Sequence, residues 1–197
     1  FGKEPPKPMY RIKMPKSVDE NNPDINNPKL PLNLPTILKD FDSIHEEAKR
    51  IGCLFCLVSF VWLPYEGMIL DPVRHRASYN IANRFYWPLK YADLKRLGDF
   101  QNKIFERYAE VRGIDFIDLA SSFPKDPDLF IDVVHFNEIG IRLQAWIIMQ
   151  EIVKLIEHKL NCKELPRPDQ YYQKEHPCMP PKINNGMKLV FEALNKS

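Results

Sequence analysis

Several things are scarce in these 197 residues, and each scarcity excludes a class of protein. No run approaches the roughly 20 consecutive apolar residues that a membrane-spanning helix needs. Lys and Arg outnumber Asp and Glu by only 28 to 26, which argues against a nucleic-acid binder that works by bulk electrostatics. Four cysteines are too few to staple a chain of this length as a disulfide scaffold. Glycine is scarce too, at seven positions, and those positions bear on the chemistry below. What is present suits a soluble globular domain: 44% of residues are hydrophobic, too many for a disordered chain. The length fits one domain with a real core. Residue 1 is Phe, so these residues are expected to be a processed product or part of a longer protein. Any signal peptide would stand upstream, which leaves the compartment open.

Residues 1–36 hold eight of the 18 prolines, and a donor-less residue with fixed φ suits neither a regular helix nor a central strand. This segment is expected to be an extended arm or loop. The domain proper is expected over 37–158, with a Pro-rich polar tail and a short terminal helix (187–195) over 159–197. Leu38, Phe41, Ile44, Ala48 and Ile51 recur at steps of three and four, which predicts an amphipathic helix closed by Gly52. The apolar run from Cys53 to Val61 then reads as a strand buried on both faces. A long connection over 64–92 stands in the position of a lid or binding loop. Leu94, Leu97, Phe100, Ile104, Tyr108 and Val111 predict a second helix ended by Gly113, and Ile114–Leu119 a second strand. Asn137 is placed to cap a third helix running to about His158, with Ile141, Ala145, Ile148, Ile152 and Ile156 inward.

Helices alternating with strands imply parallel crossovers and an α/β layer fold. Two strands alone do not make a parallel sheet covered on both faces, so the remaining strands are expected from outside these residues.

Ligands of open α/β sheets bind beyond the carboxyl ends of the strands. Asp132-x-x-His135 lies there, just ahead of the third helix. A carboxylate three residues before a histidine can hold Nδ1–H, fix the tautomer and leave Nε2 to take a proton from a nucleophile. A second pair of the same spacing, Asp42 and His45, falls off the apolar stripe of the first helix and is expected on its solvated face.

The stretch from Asp128 to Trp146, with its Asp132, His135, Asn137 and Gly140, resembles the closing block of the SGNH (GDSL-type) hydrolases, and the likeness in pattern extends over about 37–158. The resemblance implies a three-layer αβα, flavodoxin-like fold, of which this chain would carry the C-terminal half of the parallel sheet. It implies a serine ester hydrolase acting on a small-molecule or glycan ester, with His135 as general base, Asp132 as its orienting partner, and no cofactor or metal. It also implies a nucleophile in a Gly-Asp-Ser motif and an oxyanion donor in a Gly-x-Asn-Asp motif. None of the seven glycines is followed by either sequence. The serine would therefore come from the N-terminal half of the same domain or from a partner chain. The alternative is a non-catalytic binding or scaffold protein that kept the fold without the nucleophile.

Ser59 near the end of the first predicted strand, and Ser121 and Ser122 after the second, are placed to approach the site, although a hydroxyl at a strand end more often bonds local backbone. Trp62, Tyr65, Phe85, Tyr86 and Trp87 offer a substrate-pocket wall, although aromatics so placed more often anchor a long connection to the body of the fold. Arg74, Arg76 and Arg84 on that connection are suited to an anionic substrate, but one short basic and aromatic patch does not make a nucleic-acid site. Cys53 and Cys56, three apart on a strand, point to opposite faces and are expected to be buried thiols. Cys162 and Cys178 flank the tail with their pairing open, and His176 beside Cys178 is too sparse for zinc. His158 is placed to meet the helix dipole.

Overall fold

The computed structural model describes residues 12–85 and 91–165, the side chains of Arg84 and Phe85 excepted. In chain order it contains α1 (Leu34–Arg50), β1 (Cys56–Val58), α2 (Arg76–Asn80) running into a π-helical turn (Ile81–Phe85), α3 (Tyr91–Arg112) and β2 (Asp115–Ile117). There follow α4 (Leu119–Ser122), a 3-10 turn (Pro127–Leu129) and α5 (Glu138–Asn161). β1 and β2 pair in parallel, Leu57 opposite Phe116, so the fold is mixed α/β. Packing divides the chain into two units, Phe1–Glu151 and Ile152–Ser197. In the second, Lys159 Nζ meets Glu164 at 2.9 Å and His158 Nε2 lies 3.6 Å from Cys162 Sγ. The 187–195 segment, His176 and Cys178 lie outside the described residues.

Two helices hand the chain to the two strands in the same way. After α1, Gly52 N–H bonds Lys49 C=O at 3.1 Å and Cys53 N–H reaches back to Ala48 C=O at 2.8 Å. After α3, Gly113 N–H bonds Glu110 C=O at 3.3 Å and Ile114 N–H bonds Ala109 C=O at 2.9 Å. Both glycines take the left-handed conformation (φ 72° and 63°) that such a helix ending requires and that a Cβ penalises. Each motif satisfies two orphan carbonyls and turns the chain directly into a strand.

The strands differ from expectation in length and burial. β1 occupies three residues of the Cys53–Val61 run, those that pair with β2; Leu57, Ser59 and Val61 are buried, whereas Leu54 and Phe60 are exposed. Alternate residues of a strand face opposite sides, so the two core clusters cover both faces of β1 at Leu57 and Val58. Cys53 precedes the strand and is exposed, and Cys56 is half-buried on it, which corrects the expectation of two buried thiols. At the end of the run, the Asn102 side chain of α3 takes the place of a neighbouring strand: Oδ1 accepts Phe60 N–H and Nδ2 donates to Phe60 C=O, both at 2.8 Å.

One core cluster lies where α1, α3 and the strands meet, with Leu34, Leu38, Leu57, Ile104, Phe105 and Tyr108 among its members. The 12–33 segment contributes Val18, Ile25 and Leu30 to it. That segment is tied to α3 by the Arg96–Glu20 ion pair and by Lys103 Nζ donating to Glu20 C=O at 2.8 Å. α3 buries Leu94, Leu97, Phe100, Ile104 and Tyr108 as its stripe predicts, with Val111 exposed in its last turn.

α1 is rotated from the expected stripe. Leu34, Leu38 and Phe41 pack inward, while Ile44 and Ile51 are exposed. The rotation brings Asp42 and His45 off the solvated face assigned to them. Asp42 Oδ1 accepts Tyr108 O–H and Arg112 Nε–H, both at 2.9 Å, and the His45 ring lies 5.8 Å from that of Phe55. α5 corrects most of the expectation: Ile148 packs against the second core cluster as expected, joined by Leu143 and Ile147, but Ile141, Ala145, Ile152 and Ile156 are exposed.

Burial, then the hydrogen bond to Asp42 and that carboxylate's charge, push the Tyr108 hydroxyl from 10.0 up to about 12. The raised value belongs to the folded state, so this stabilisation is complete below pH 10 and disappears as pH rises through about 12. Tyr108→Phe is expected to cost about 1 kcal/mol in urea unfolding at pH 7. It is also expected to flatten the alkaline loss of stability, and an unchanged alkaline limb would contradict this assignment.

Candidate active site

The carboxyl ends of the two strands are joined by a buried hydroxyl. Ser59 Oγ donates to Asp118 Oδ1 at 3.0 Å and accepts Ala120 N–H at 2.8 Å. Asp118 also caps α4 by accepting Ser121 N–H at 3.2 Å, and Ser122 Oγ donates to Asp118 C=O at 3.1 Å. Burial raises the pKa of Asp118, but hydrogen bonds from the side chain and backbone of Ser121 and from Ser59, with the charge of Lys125, outweigh it and hold the carboxyl below its usual range. The Ser59 hydroxyl thus has its proton engaged by Asp118 and is buried, and the Ser122 hydroxyl donates to local backbone.

Beyond these ends the chain folds into a turn built on Asp132. Its Oδ1 accepts Val134 N–H and His135 N–H, both at 2.8 Å, and its Oδ2 meets His135 Nδ1 at 2.8 Å. Between them Val133 is fully buried in the second core cluster, where its C=O accepts Leu63 N–H at 3.0 Å from the segment after β1. Ile131 N–H bonds His135 C=O at 2.8 Å, and Phe130 and Phe136 form an antiparallel bridge across the base of the turn. The rings of Phe123, Phe130 and Phe136 cluster beside it in tilted and edge-on contacts with centroids 4.6 to 6.0 Å apart.

Asn137 and Gly140 fix where α5 begins. Asn137 Oδ1 caps the helix by accepting Gly140 N–H at 2.9 Å, and its Nδ2 donates to Asp128 C=O at 2.5 Å. A Cβ on Gly140 would stand 2.2 Å from the Leu129 carbonyl oxygen, so the helix reaches this position only with glycine there.

The electrostatics set the histidine tautomer. Burial pushes the Asp132 carboxyl up, but the donors from Val134 and from the ring and backbone of His135 together hold it below its ordinary value. An ionised carboxylate only accepts hydrogen bonds, so the facing Nδ1 carries the proton. Nε2 then presents its lone pair outward from a side chain that is 73% exposed, whereas Asp132 is 19% exposed. A fixed tautomer with an open Nε2 can accept a proton from a hydroxyl brought up to it.

The remaining sequence-predicted residues are spread out. Trp62 packs against α3, where a Cβ on Gly98 would lie 2.8 Å from the indole ring, and Tyr65 packs against the second core cluster. Tyr86 and Trp87 lie outside the described residues, as do the side chains of Phe85 and Arg84. Arg76 is exposed at the start of α2. Arg74, expected to meet an anionic substrate, instead donates to Asp128 Oδ2 at 2.5 Å. The same carboxylate meets His75 Nε2 at 2.9 Å, an Asp–His contact across 53 residues that no local spacing signals. Among the described residues, no group of three or more His, Cys, Asp or Glu is arranged to hold a metal ion. No helix among them is long and apolar enough to cross a membrane.

Comparison of the chain with protein-family models, with curated proteins and with solved structures found no match in any of the three.

Because the Asp132 pKa is lowered by folding, its contribution is present above the ordinary carboxylate value of about 3.9 and is lost as pH falls through the folded one. Asp132→Ala removes one acceptor from three donors and is expected to cost about 2 kcal/mol at pH 7. In urea titrations from pH 7 to 2, the gap between wild type and variant should close at the acid end. A gap independent of pH would contradict the assignment.

Proposed function

We propose that Asp132 and His135 are the orienting and base members of a Ser-His-Asp ester hydrolase of the SGNH type, acting on a small-molecule or glycan ester. The observation that carries this reading is the 2.8 Å bond from His135 Nδ1 to Asp132 Oδ2, which leaves Nε2 open on an exposed ring. Its position supports it too: the turn lies past the carboxyl ends of the parallel strands, joined to the segment after β1 through Leu63 and Val133. In the resembled motif Asn and Gly come after the histidine, and here Asn137 and Gly140 seat the helix that succeeds the turn.

In this reading the nucleophile is a serine from outside these 197 residues. Ser59 is sealed between Asp118 and Ala120, and no glycine here precedes an Asp-Ser pair. The serine hydroxyl would pass its proton to Nε2 as its oxygen attacks the ester carbonyl. His135, stabilised as imidazolium by Asp132, would return the proton to the leaving alcohol, and water would then release the acid by the reverse sequence. Exposure of Leu54 and Phe60 beside β1 supports the same reading, since further strands and their covering layer would bury them. The finer fold assignment, a three-layer flavodoxin-like sheet with this chain as its C-terminal half, belongs to the same proposal.

His135→Ala in the intact native protein is expected to lower kcat for an acetyl ester by about a thousandfold or more while circular dichroism and Tm stay close to wild type. Full turnover in a folded His135→Ala variant would end the assignment, and no turnover in the intact wild type would favour the non-catalytic binding or scaffold protein instead.

A further inference from the structure

The His135 ring is held by one of its two nitrogens only, so where it points depends on how firmly the turn beneath it is held. Several of the turn's restraints are local: the Asp132 hydrogen bonds to Val134 and His135, the Phe130–Phe136 bridge, the Ile131–His135 hydrogen bond and the Asn137 cap. Further restraints come from Leu63 and the 64–80 connection that follows it. Leu63 N–H bonds Val133 C=O at the head of that connection, and twelve residues later His75 and its neighbour Arg74 both bond the Asp128 carboxylate.

The His75 contact is the more specific of the two. Asp71 N–H donates to His75 Nδ1 at 3.1 Å, so in the neutral ring the proton sits on Nε2, the atom that faces Asp128 at 2.9 Å. The ring is mostly buried (13% exposed), while Arg74 is 68% exposed and is the weaker restraint for that reason. Asp71 in turn holds the local chain by accepting Val73 N–H at 2.7 Å and Arg74 N–H at 2.8 Å. The Asp128 C=O accepts Asn137 Nδ2, so one residue joins the connection to the cap of α5. A single line of hydrogen bonds therefore runs from Asp71 through His75 and Asp128 to Asn137, two residues after His135.

We infer that His75, acting through Asp128, is a positioning residue that fixes the Asp132–His135 turn and so the direction in which His135 Nε2 faces. The inference rests on the reading of His135 as general base. A histidine suits the position because its ring accepts from backbone on one side and donates to a carboxylate on the other. Glutamine places a donor near Nε2 and is the conservative replacement, whereas alanine removes both contacts.

The test reads the tautomer of His135 from its ring ¹⁵N shifts in the full chain, which needs no substrate. Wild type is expected to hold the proton on Nδ1. In His75→Ala the ratio of Nδ1–H to Nε2–H should fall by about tenfold, the loss of one charge-assisted hydrogen bond. His75→Gln should restore most of it. Asp128→Ala, which keeps the backbone carbonyl for Asn137, should reproduce the alanine effect and serves if His75→Ala does not fold. An unchanged His135 tautomer in folded His75→Ala or Asp128→Ala overturns the positioning role alone. A wild-type ring protonated on Nε2 instead overturns the general-base reading on which it rests.

Discussion

One carboxylate organises this molecule's candidate chemistry. Asp132 accepts hydrogen bonds from two successive backbone N–H groups and from the ring of the second of those residues. The first two contacts make the turn, and the third uses it. Because turn and tautomer depend on the same group, His135 cannot be oriented independently of its backbone. Val133 between them is driven into the core and anchors the turn from below. An exposed histidine thereby gains a fixed direction without being buried, which keeps its outer nitrogen accessible.

The scaffold carries this turn by economical means. Two helices end in the same glycine motif and lead into parallel strands, and a buried serine bonded to an exposed aspartate cross-links the carboxyl ends of those strands. The sheet is short, with two strands of three residues each, and Asn102 completes the hydrogen bonding of Phe60 in place of another strand. Apolar side chains are nevertheless left uncovered, on the strand run at Leu54 and Phe60 and along α5 at Ile139, Trp146, Met149 and Val153. A helix that is apolar on most of its faces belongs in contact with more protein than this, in keeping with the proposal that another segment completes the site.

Much of this was legible in the sequence, for identifiable reasons. Steps of three and four located α1, α3 and α5, and a glycine after an apolar stripe located the ends of α1 and α3. The Asp132–His135 contact was legible because its spacing is local and one turn brings the two together. Facing was less legible. In α1 the charged Asp42 turned inward because Tyr108 and Arg112 offered it a hydroxyl and a cation from α3, long-range contacts that local periodicity does not register. In α5 isoleucines stand on several sides, so periodicity does not choose among them. The His75–Asp128 contact was invisible for a different reason: it spans 53 residues, and only the path of the 64–80 connection brings the groups together. Arg74 looked like a free cation in the sequence because its carboxylate partner is equally remote.

The central claim is that His135 serves a serine outside these residues. The most direct test is to treat the intact native protein with a fluorophosphonate and map the adduct by peptide mass. The expected result is one adduct, on a serine beyond these 197 residues, and its loss in His135→Ala. An adduct on Ser59, Ser121 or Ser122, or no adduct on any serine, would contradict the claim.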